Sequence, residues 1–269
     1  MTGSLKRSVW RSGFSIDTMT ALSPEPRRRL IVNADDFGQS QGINDGVIEC
    51  HEHGVVTSAS LMVRWPWAAA AAKYACRTSS LSVGLHLDLG EWIHRNGEWV
   101  PAYVVATPAD PDLVRAEILS QFETFHRLMG CHPTHIDSHQ HVHRQEPVRA
   151  VVAEIGSRLQ VPIRDSSKTV TYVGKFYGQS RTGSVLDGVI AVDHLIGILR
   201  AVPAGATELG CHPGLRQDAP GMYVDQRDEE VRVLCDPRVR AAIQAEGIEL
   251  ISFRDISSAS SVKSRRATT

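Results

Sequence analysis

Short apolar runs alternate with stretches of helical periodicity along most of the chain. The run Leu30 to Ala34 predicts a buried strand, and the segment Ser40 to His53 carries apolar residues at helical spacing before Gly54 ends it. The same pattern predicts further strands at 55–63, 81–87, 132–138, 161–164, 207–211 and 248–253, and helices at 66–76, 112–129, 147–159, 183–202 and 229–245, the last interrupted at Pro237. Strands that alternate with helices predict parallel β/α units, so we expect a barrel-like single domain of the α/β class.

Two segments between the predicted elements are long for a compact domain. Residues 88–111 contain Trp92 and Trp99, and residues 166–182 contain Tyr172. Loops of this length are usually functional. Their aromatic side chains are expected either to stack on a sugar ring or to pack down as a lid, and the sequence leaves both interpretations open.

The two ends of the chain differ from the rest in composition. Residues 1–28 are basic and lack the continuous apolar core of a secretory signal, so we expect a disordered N-terminal extension in which Met19 is an alternative start of translation. Residues 257–269 are rich in Ser, Ala, Lys and Arg and are also expected to be disordered. The predicted folded domain therefore covers residues 29–256.

Composition and charge narrow the classes of function. The chain has 269 residues, and 29 Lys and Arg against 30 Asp and Glu give a net charge of -1, which argues against a nucleic-acid binder or a membrane-surface protein. No apolar run approaches the ~20 residues of a membrane span. The five cysteines are scattered without a C-x-x-C pair, which favours reduced thiols and a cytoplasmic location.

The most polar feature of the chain is a histidine-rich run. Alternate positions in it hold His135, Asp137, His139, His141 and His143. Because an extended chain places alternate side chains on one face, we expect these groups to share a face. Imidazole nitrogens and carboxylate oxygens are ligands of hydrolytic divalent ions, which favours a metal site. A solvated histidine-rich loop is the alternative.

Candidate chemistry also stands at the ends of other predicted strands. Asp35 and Asp36 follow the first strand, and His86 and His212 close the strands at 81–87 and 207–211. In β/α barrels, catalytic groups gather at the carboxyl ends of strands. One of two adjacent aspartates can bind a metal while the other takes a proton from water, although an acidic turn or a helix cap is the simpler interpretation.

His86 and His212 have a simpler interpretation when each is taken alone, because a single histidine in an apolar strand is more often a buried core residue than a ligand. The sequence after His212 changes that expectation, because Pro213-Gly214 turns the chain sharply and would leave the imidazole at the rim. A histidine there could protonate a leaving amine.

Four segments occur in a fixed order along the chain: Asn33 to Gly38, Gly84 to Leu87, His135 to His143 and Cys211 to Pro213. Together they resemble the YdjC-like carbohydrate deacetylases, a family that includes chitooligosaccharide deacetylases and hopanoid-associated deacetylases. The resemblance runs in register from about Leu30 to about Asp255.

The resemblance implies a deformed (β/α) barrel related to the polysaccharide deacetylases, and an activity that removes an N-acetyl group from a sugar or oligosaccharide. It implies that Asp36, His86 and His139 bind one divalent metal ion. It also implies that Asp35 is the general base and that His212 is the general acid. Magnesium is the ion usually associated with the family, and zinc would also suit two imidazoles and one carboxylate. The expected partner is an N-acetylated sugar, and a homodimer is left open.

Five further residues are expected to contact the substrate or to support the ligands. A catalytic metal site keeps about three protein ligands and an open position, so the other groups of the histidine-rich run are not expected to be ligands. These residues are Asp137, His141 and His143 together with Trp92 and Trp99.

The sequence leaves the sugar and two other functions open. The segment 87–92 departs from the chitooligosaccharide branch, so the sugar is not fixed by the resemblance. A phosphoesterase on the same barrel would need a second metal and a basic clamp for phosphate, for which the motifs offer only Arg144. A non-catalytic sugar- or metal-binding protein would have lost the base or the acid, yet Asp35 and His212 are both present.

Overall fold

A curled parallel sheet forms the centre of the molecule. The structure, a computed structural model, describes residues 27–215, 218 and 221–256. The strands in this part of the chain are β1 Arg28–Phe37, β2 Ser58–Leu61, β3 Ser82–Leu87, β4 Gly90–Arg95, β5 Glu98–Val104, β6 Ile136–Ser138, β7 Val170–Val173, β8 Gly205–Cys211 and β9 Glu249–Leu250. Seven of them pair in parallel in the order β6-β3-β2-β1-β8-β7, with β9 beside β1.

Helices fill the connections between these strands. They are α1 Gln41–Glu52, α2 Ala68–Arg77, α3 Pro111–Met129, α4 Val148–Leu159, α5 Val192–Arg200, α6 Asp225–Leu234 and α7 Pro237–Ala245. Parallel strands need such crossovers, and the helices cover the sheet so that β1 is buried over most of its length. The predicted α/β class with parallel units is confirmed. In the described part of the chain, none of the helices has the length and apolar character that a membrane crossing requires.

The chain leaves β1 in a tight turn that holds two carboxylates at the edge of the sheet. Asp36 has a positive φ angle of 63°, a conformation that aspartate tolerates better than most residues. Ser40 then caps α1, because its hydroxyl accepts a hydrogen bond from the Ile43 amide. Asp35 and Asp36 are therefore fixed between a buried strand and a capped helix.

Strand register brings residues from separate strands to the same edge. His86 on β3 pairs with Asp137 on β6, and Ala34 on β1 pairs with Cys211 on β8. Because the carboxyl ends of parallel strands share one edge, His212 follows β8 to the place where β1 delivers its carboxylates.

The course of the chain at Arg164 indicates that the sheet is curled into a half-barrel. Ile163 makes a parallel bridge to Ile136 of β6. The side chain of the next residue, Arg164, crosses to Asp35 on β1 and to Glu208 on β8. A side chain beside β6 reaches β1 and β8 only across the inside of a curved sheet.

The histidine-rich run is not extended as predicted. β6 ends at Ser138, and His139–Arg144 form a 3-10 turn in which Gln140 and His141 have positive φ angles of 48° and 56°. The Ser138 hydroxyl accepts a hydrogen bond of 3.0 Å from the His143 amide, which closes the turn. The expectation that alternate residues of the run share one face was therefore wrong beyond Ser138.

Other element boundaries differ from the prediction as well. The expected loop 88–111 contains an antiparallel hairpin of β4 and β5, with a turn at Asn96 and Gly97. Only α5 forms in the predicted helix 183–202. The helix predicted at 229–245 is interrupted at Pro237 as expected, because Asp236 caps α7 and Pro237 begins it, but the first of the two helices, α6, begins earlier, at Asp225.

The predicted disordered ends lie almost entirely outside the described residues, which begin at 27 and stop at 256. Arg28 falls in the predicted extension, yet it begins β1. Its guanidinium donates hydrogen bonds of 2.8 Å to the carbonyl oxygens of Leu199 and Val202, which joins β1 to the end of α5.

Candidate active site

A cavity of about 930 Å³ opens at the carboxyl edge of the sheet. Polar side chains from several strand ends line it: Asp35, Asp36, His86, Glu91, His139 and His212. The structure therefore brings the residues predicted as base, acid and metal ligands to one site.

Asp36, His86 and His139 form a tight cluster of donor atoms. Asp36 Oδ1 lies 3.3 Å from His86 Nε2 and 3.0 Å from His139 Nδ1. Ligand atoms ~2.1 Å from one ion, at right or tetrahedral angles, lie ~3.0–3.4 Å from each other. One carboxylate and two imidazoles at these separations fit a single divalent ion.

His86 is held from behind by Asp137. The register of β3 and β6 places Asp137 Oδ1 2.8 Å from His86 Nδ1, so the other ring nitrogen faces Asp36. Burial alone would lower the pKa of His86, but the carboxylates of Asp137 and Asp36 raise it to about 10. Asp137 thus orients the His86 ring, as carboxylates do for histidines around metal sites, and it does not line the cavity.

Asp35 is fixed by a buried arginine that the sequence analysis did not identify. Arg164 donates hydrogen bonds of 2.6 and 2.8 Å to the two carboxylate oxygens of Asp35. The same guanidinium contacts Asp137 at 2.8 Å and Glu208 at 2.6 Å. Burial raises the pKa of Asp35, but the positive charge of Arg164 outweighs it and holds this pKa below its usual value.

A second buried arginine neutralises Asp36. Arg227 on α6 donates a hydrogen bond of 2.6 Å to Asp36 Oδ2, which leaves Oδ1 to face the two histidines. Burial would raise the pKa of Asp36, but Arg227 and His139 hold it well below its usual range. Asp36 is therefore ionised and aimed at the cluster.

His212 faces Asp35 across the site. Its Nε2 lies 3.6 Å from Asp35 Oδ2, and its backbone amide donates to Glu230 at 2.5 Å. The rings of Tyr177 and Tyr223 meet the imidazole edge to face at 5.1 and 5.7 Å. Burial in this setting lowers the pKa of His212 to about 4, so the imidazole is neutral near neutral pH.

His141 and His143, which follow His139 in the run, have different surroundings. His141 lines the cavity beside the ring of Tyr172, with a centroid separation of 5.6 Å. His143 is buried, and its Nδ1 lies 2.6 Å from the Ser138 hydroxyl. His141 can therefore meet a ligand in the cavity, whereas His143 stabilises the turn.

Both predicted tryptophans lie at the cavity and not in the core. Trp92 on β4 and Trp99 on β5 line it from the hairpin side, and the Trp99 side chain is half exposed. Their position is compatible with stacking on a ligand ring.

Four charged groups of the site carried little signal in the sequence. Glu208, Arg227 and Glu230 sit in strands or helices whose periodicity gives no reason to bury a charge. Arg164 is the last residue of the predicted strand 161–164, and this position is the one signal of its location in the sequence.

The chain resembles known proteins over most of its length. The sequence model of a family described as "YdjC-like protein" matches residues 29–245. A carbohydrate deacetylase of Geobacillus stearothermophilus is 35% identical over 250 residues, which are 85% of this chain and 98% of the relative. A chitooligosaccharide deacetylase of Proteus mirabilis is 31% identical over 254 residues, 84% of this chain and 98% of the relative.

Solved structures give the same picture of the fold. A protein of Enterococcus faecalis, provisionally described as a cellobiose-phosphate cleavage protein, superposes with a TM-score of 0.70 at 25% identity, over 86% of this chain and 99% of its own. A peptidoglycan N-acetylglucosamine deacetylase superposes with a TM-score of 0.53 at 13% identity, over 85% of this chain and 87% of its own. The expected likeness to the polysaccharide-deacetylase fold is confirmed.

Proposed function

We propose that this chain, which belongs to the family of YdjC-like proteins, is a metal-dependent hydrolase that removes the N-acetyl group from an N-acetylated sugar or oligosaccharide. One observation carries the proposal. The cluster of Asp36, His86 and His139 lines a cavity, with Asp35 and His212 facing each other beside it. A ligand set, a base and an acid are what hydrolysis of an unactivated amide requires.

In this proposal Asp36, His86 and His139 hold one divalent ion. A bound ion would supply a Lewis acid that polarises the acetyl carbonyl and makes a water molecule more acidic. The chain contributes a dry, charge-balanced setting: Arg227 neutralises one oxygen of Asp36, and Asp137 fixes the ring of His86.

Asp35 is the proposed general base. Its pairing with Arg164 keeps the carboxylate ionised and fixes its orientation, so that it is ready to accept a proton from water. Oδ2 of Asp35 lies 3.6 Å from His212 Nε2, so a proton taken up by Asp35 could be transferred to the imidazole over a short distance.

His212 is the proposed general acid. An imidazole whose pKa is lowered to about 4 is neutral at rest, and once protonated it gives up its proton readily. The departing nitrogen needs that proton, because expulsion of an unprotonated amide nitrogen is unfavourable. Tyr177 and Tyr223 hold the ring in place through edge contacts.

The cavity suits a sugar substrate of more than one ring. At about 930 Å³ it lies near the upper end of the ~300–1,000 Å³ that ligand pockets usually have. Four aromatic side chains line it: Trp92, Trp99, Tyr172 and Tyr177. Aromatic faces of this kind stack on the apolar faces of sugar rings.

Finer expectations belong to the same proposal. We propose Mg²⁺ as the ion on the basis of the family resemblance, with Zn²⁺ as the alternative that two imidazoles also suit. A cytoplasmic location remains a prediction from the sequence, and the sequence leaves a homodimer open.

The rival functions fit the site less well. A two-metal phosphoesterase would need a second ligand cluster, and Asp35, His86 and Asp137 do approach one another closely enough for one. That cluster shares His86 with the first, and Arg164 already occupies both of its carboxylates. A binding protein without catalysis would not need Asp35 and His212 to face each other.

The test is release of acetate from a panel of N-acetylated mono-, oligo- and lipid-linked sugars, with and without a chelator. We expect chelation to abolish the release and Mg²⁺ or Zn²⁺ to restore it. His139→Ala should sharply reduce bound metal and activity together. Hydrolysis of a phosphate ester without release of acetate from any sugar would contradict the proposal.

A further inference from the structure

Each of the two proposed ligand histidines has a second ring nitrogen that faces a carboxylate. For His86 the contact is formed, since Nδ1 lies 2.8 Å from Asp137 Oδ1. For His139 it is not, since Nε2 lies 4.0 Å from Glu91 Oε2, ~1 Å longer than a hydrogen bond. Both of these atoms are buried, and among the described residues neither has a hydrogen-bond partner.

A ring nitrogen that binds an ion carries no proton, so the imidazole keeps its proton on the other nitrogen. His139 Nδ1 faces Asp36 at 3.0 Å, which leaves Nε2 to carry the proton when an ion is held there. We propose that Glu91 is a positioning residue for the metal site: it accepts a hydrogen bond from His139 Nε2 and so fixes the ring. The inference rests on the metal site proposed above.

Two hydrogen bonds attach the β4–β5 hairpin to the turn that carries His139. The Gln140 side chain donates to the Trp92 carbonyl at 2.7 Å and accepts from the Trp92 amide at 2.9 Å. Glu91 and His139 immediately precede Trp92 and Gln140 in the chain, so these hydrogen bonds hold the Glu91 carboxylate beside the His139 imidazole. Gly221 closes the other side of Glu91, because a Cβ at that position would overlap Oε1.

The geometry favours a supporting carboxylate over a fourth ligand. Glu91 falls outside the donor clusters whose atoms all lie within 4.8 Å of one another. The His139 ring presents Nδ1 to Asp36 and Nε2 to Glu91, so the imidazole stands between the two carboxylates.

Calorimetric titration with Zn²⁺ and with Mg²⁺ tests the inference without reference to turnover. We expect Glu91→Ala to weaken ion binding by ~10–100-fold, the usual effect of removing such a partner. Glu91→Gln keeps an oxygen acceptor and should recover most of the loss. Glu98→Ala, which removes an exposed carboxylate from the same hairpin, should bind the ion like the unaltered protein.

Two further measurements separate a positioning role of Glu91 from a general loss of folded structure. In a His139→Ala background, Glu91→Ala should weaken ion binding no further, because the ring on which Glu91 acts is gone. The melting temperature of ion-free Glu91→Ala should not fall, since the variant removes a buried carboxylate oxygen without a partner. If that variant does not fold, Glu91→Asp takes its place and should bind the ion more weakly than Glu91→Gln.

Three results would overturn the inference: ion binding by Glu91→Ala as tight as in the unaltered protein, equal losses in Glu91→Ala and Glu91→Gln, or a further loss in the His139→Ala background. Failure of the proposed metal site is distinguishable, because His139→Ala would then bind the ion as tightly as the unaltered protein.

Discussion

Replacing Arg164 by Met should destabilise the fold strongly, because one buried guanidinium neutralises three buried carboxylates. Its side chain has 0% exposure, and it contacts Asp35 at 2.6 Å, Asp137 at 2.8 Å and Glu208 at 2.6 Å. Methionine has a similar volume and no charge, so Arg164→Met leaves these carboxylates facing one another without a cation.

The size of the stability loss depends on whether each carboxylate stays charged or takes up a proton once the cation is gone. Breaking one buried ion pair costs ~3–5 kcal/mol, because the remaining charge stays buried. Three partners do not triple this loss. Burial raises the pKa of Glu208 to about 7 even with Arg164 beside it, so Glu208 takes up a proton readily. We expect a loss of ~3–5 kcal/mol near neutral pH and a Tm lower by ~6–20 °C, at ~2–4 °C for each kcal/mol.

Urea denaturation of the ion-free protein, followed by far-UV circular dichroism, measures this loss. The matched control is Arg149→Met, which removes an exposed ion pair with Glu146 and should change the stability little, because solvent screens such a pair. Glu208→Gln added to Arg164→Met should recover part of the stability. An Arg164→Met variant no less stable than the control would refute the argument that this guanidinium balances the site.

Four further predictions concern the proposed chemistry and the charge of the site. Asp35→Asn should lower turnover by ~10²–10⁴ and leave calorimetric Zn²⁺ binding unchanged; near-normal turnover would remove Asp35 as the base. His212→Gln should slow hydrolysis of an N-acetyl amide more than that of an O-acetyl ester, because an alkoxide leaves more readily than a nitrogen anion, the form in which an amide nitrogen leaves if it receives no proton; equal losses would assign His212 a positioning role only. Trp99→Ala should raise KM for an oligosaccharide more than it lowers kcat, and an unchanged KM would contradict stacking. Glu208→Gln should remove a pH dependence of stability. In the folded state the pKa of Glu208 is raised from 4.5 to about 7, so between these pH values the folded state binds more protons than the unfolded state. The unaltered protein should therefore lose up to ~3 kcal/mol of stability as the pH rises from 4.5 to 7. Parallel stability curves for the two proteins would contradict this.

The positions of the site residues could be predicted where an apolar strand precedes them. Asp35 and Asp36 lie at the carboxyl end of β1, His86 at that of β3, and His212 directly follows β8. Parallel strands deliver these ends to one edge. The order of the strands was not needed for this argument, because any arrangement of parallel β/α units places these ends together.

The groups that support the site could not be predicted in the same way. Arg164 and Glu208 are buried because they neutralise each other and their neighbours, and hydrophobic periodicity does not encode such pairs. The turn after β6 was missed because its positive φ angles fall on Gln140 and His141, where no glycine marks them. The hairpin did carry a signal that the sequence analysis overlooked: Asn96-Gly97 is a dipeptide typical of a two-residue hairpin turn.

β1 has strands on both sides and is buried over most of its length, so the backbone that carries Asp35 and Asp36 belongs to the part of the fold that opens last. The β4–β5 hairpin pairs only with itself in the described sheets, and it bears Trp92. Gln140 holds the hairpin at Trp92, so fluctuations that admit a bulky glycan can be confined to its far end, around the Asn96-Gly97 turn and Trp99. The outer wall of the cavity can then yield to a substrate while Asp35, Asp36 and the neighbours of His139 keep their places.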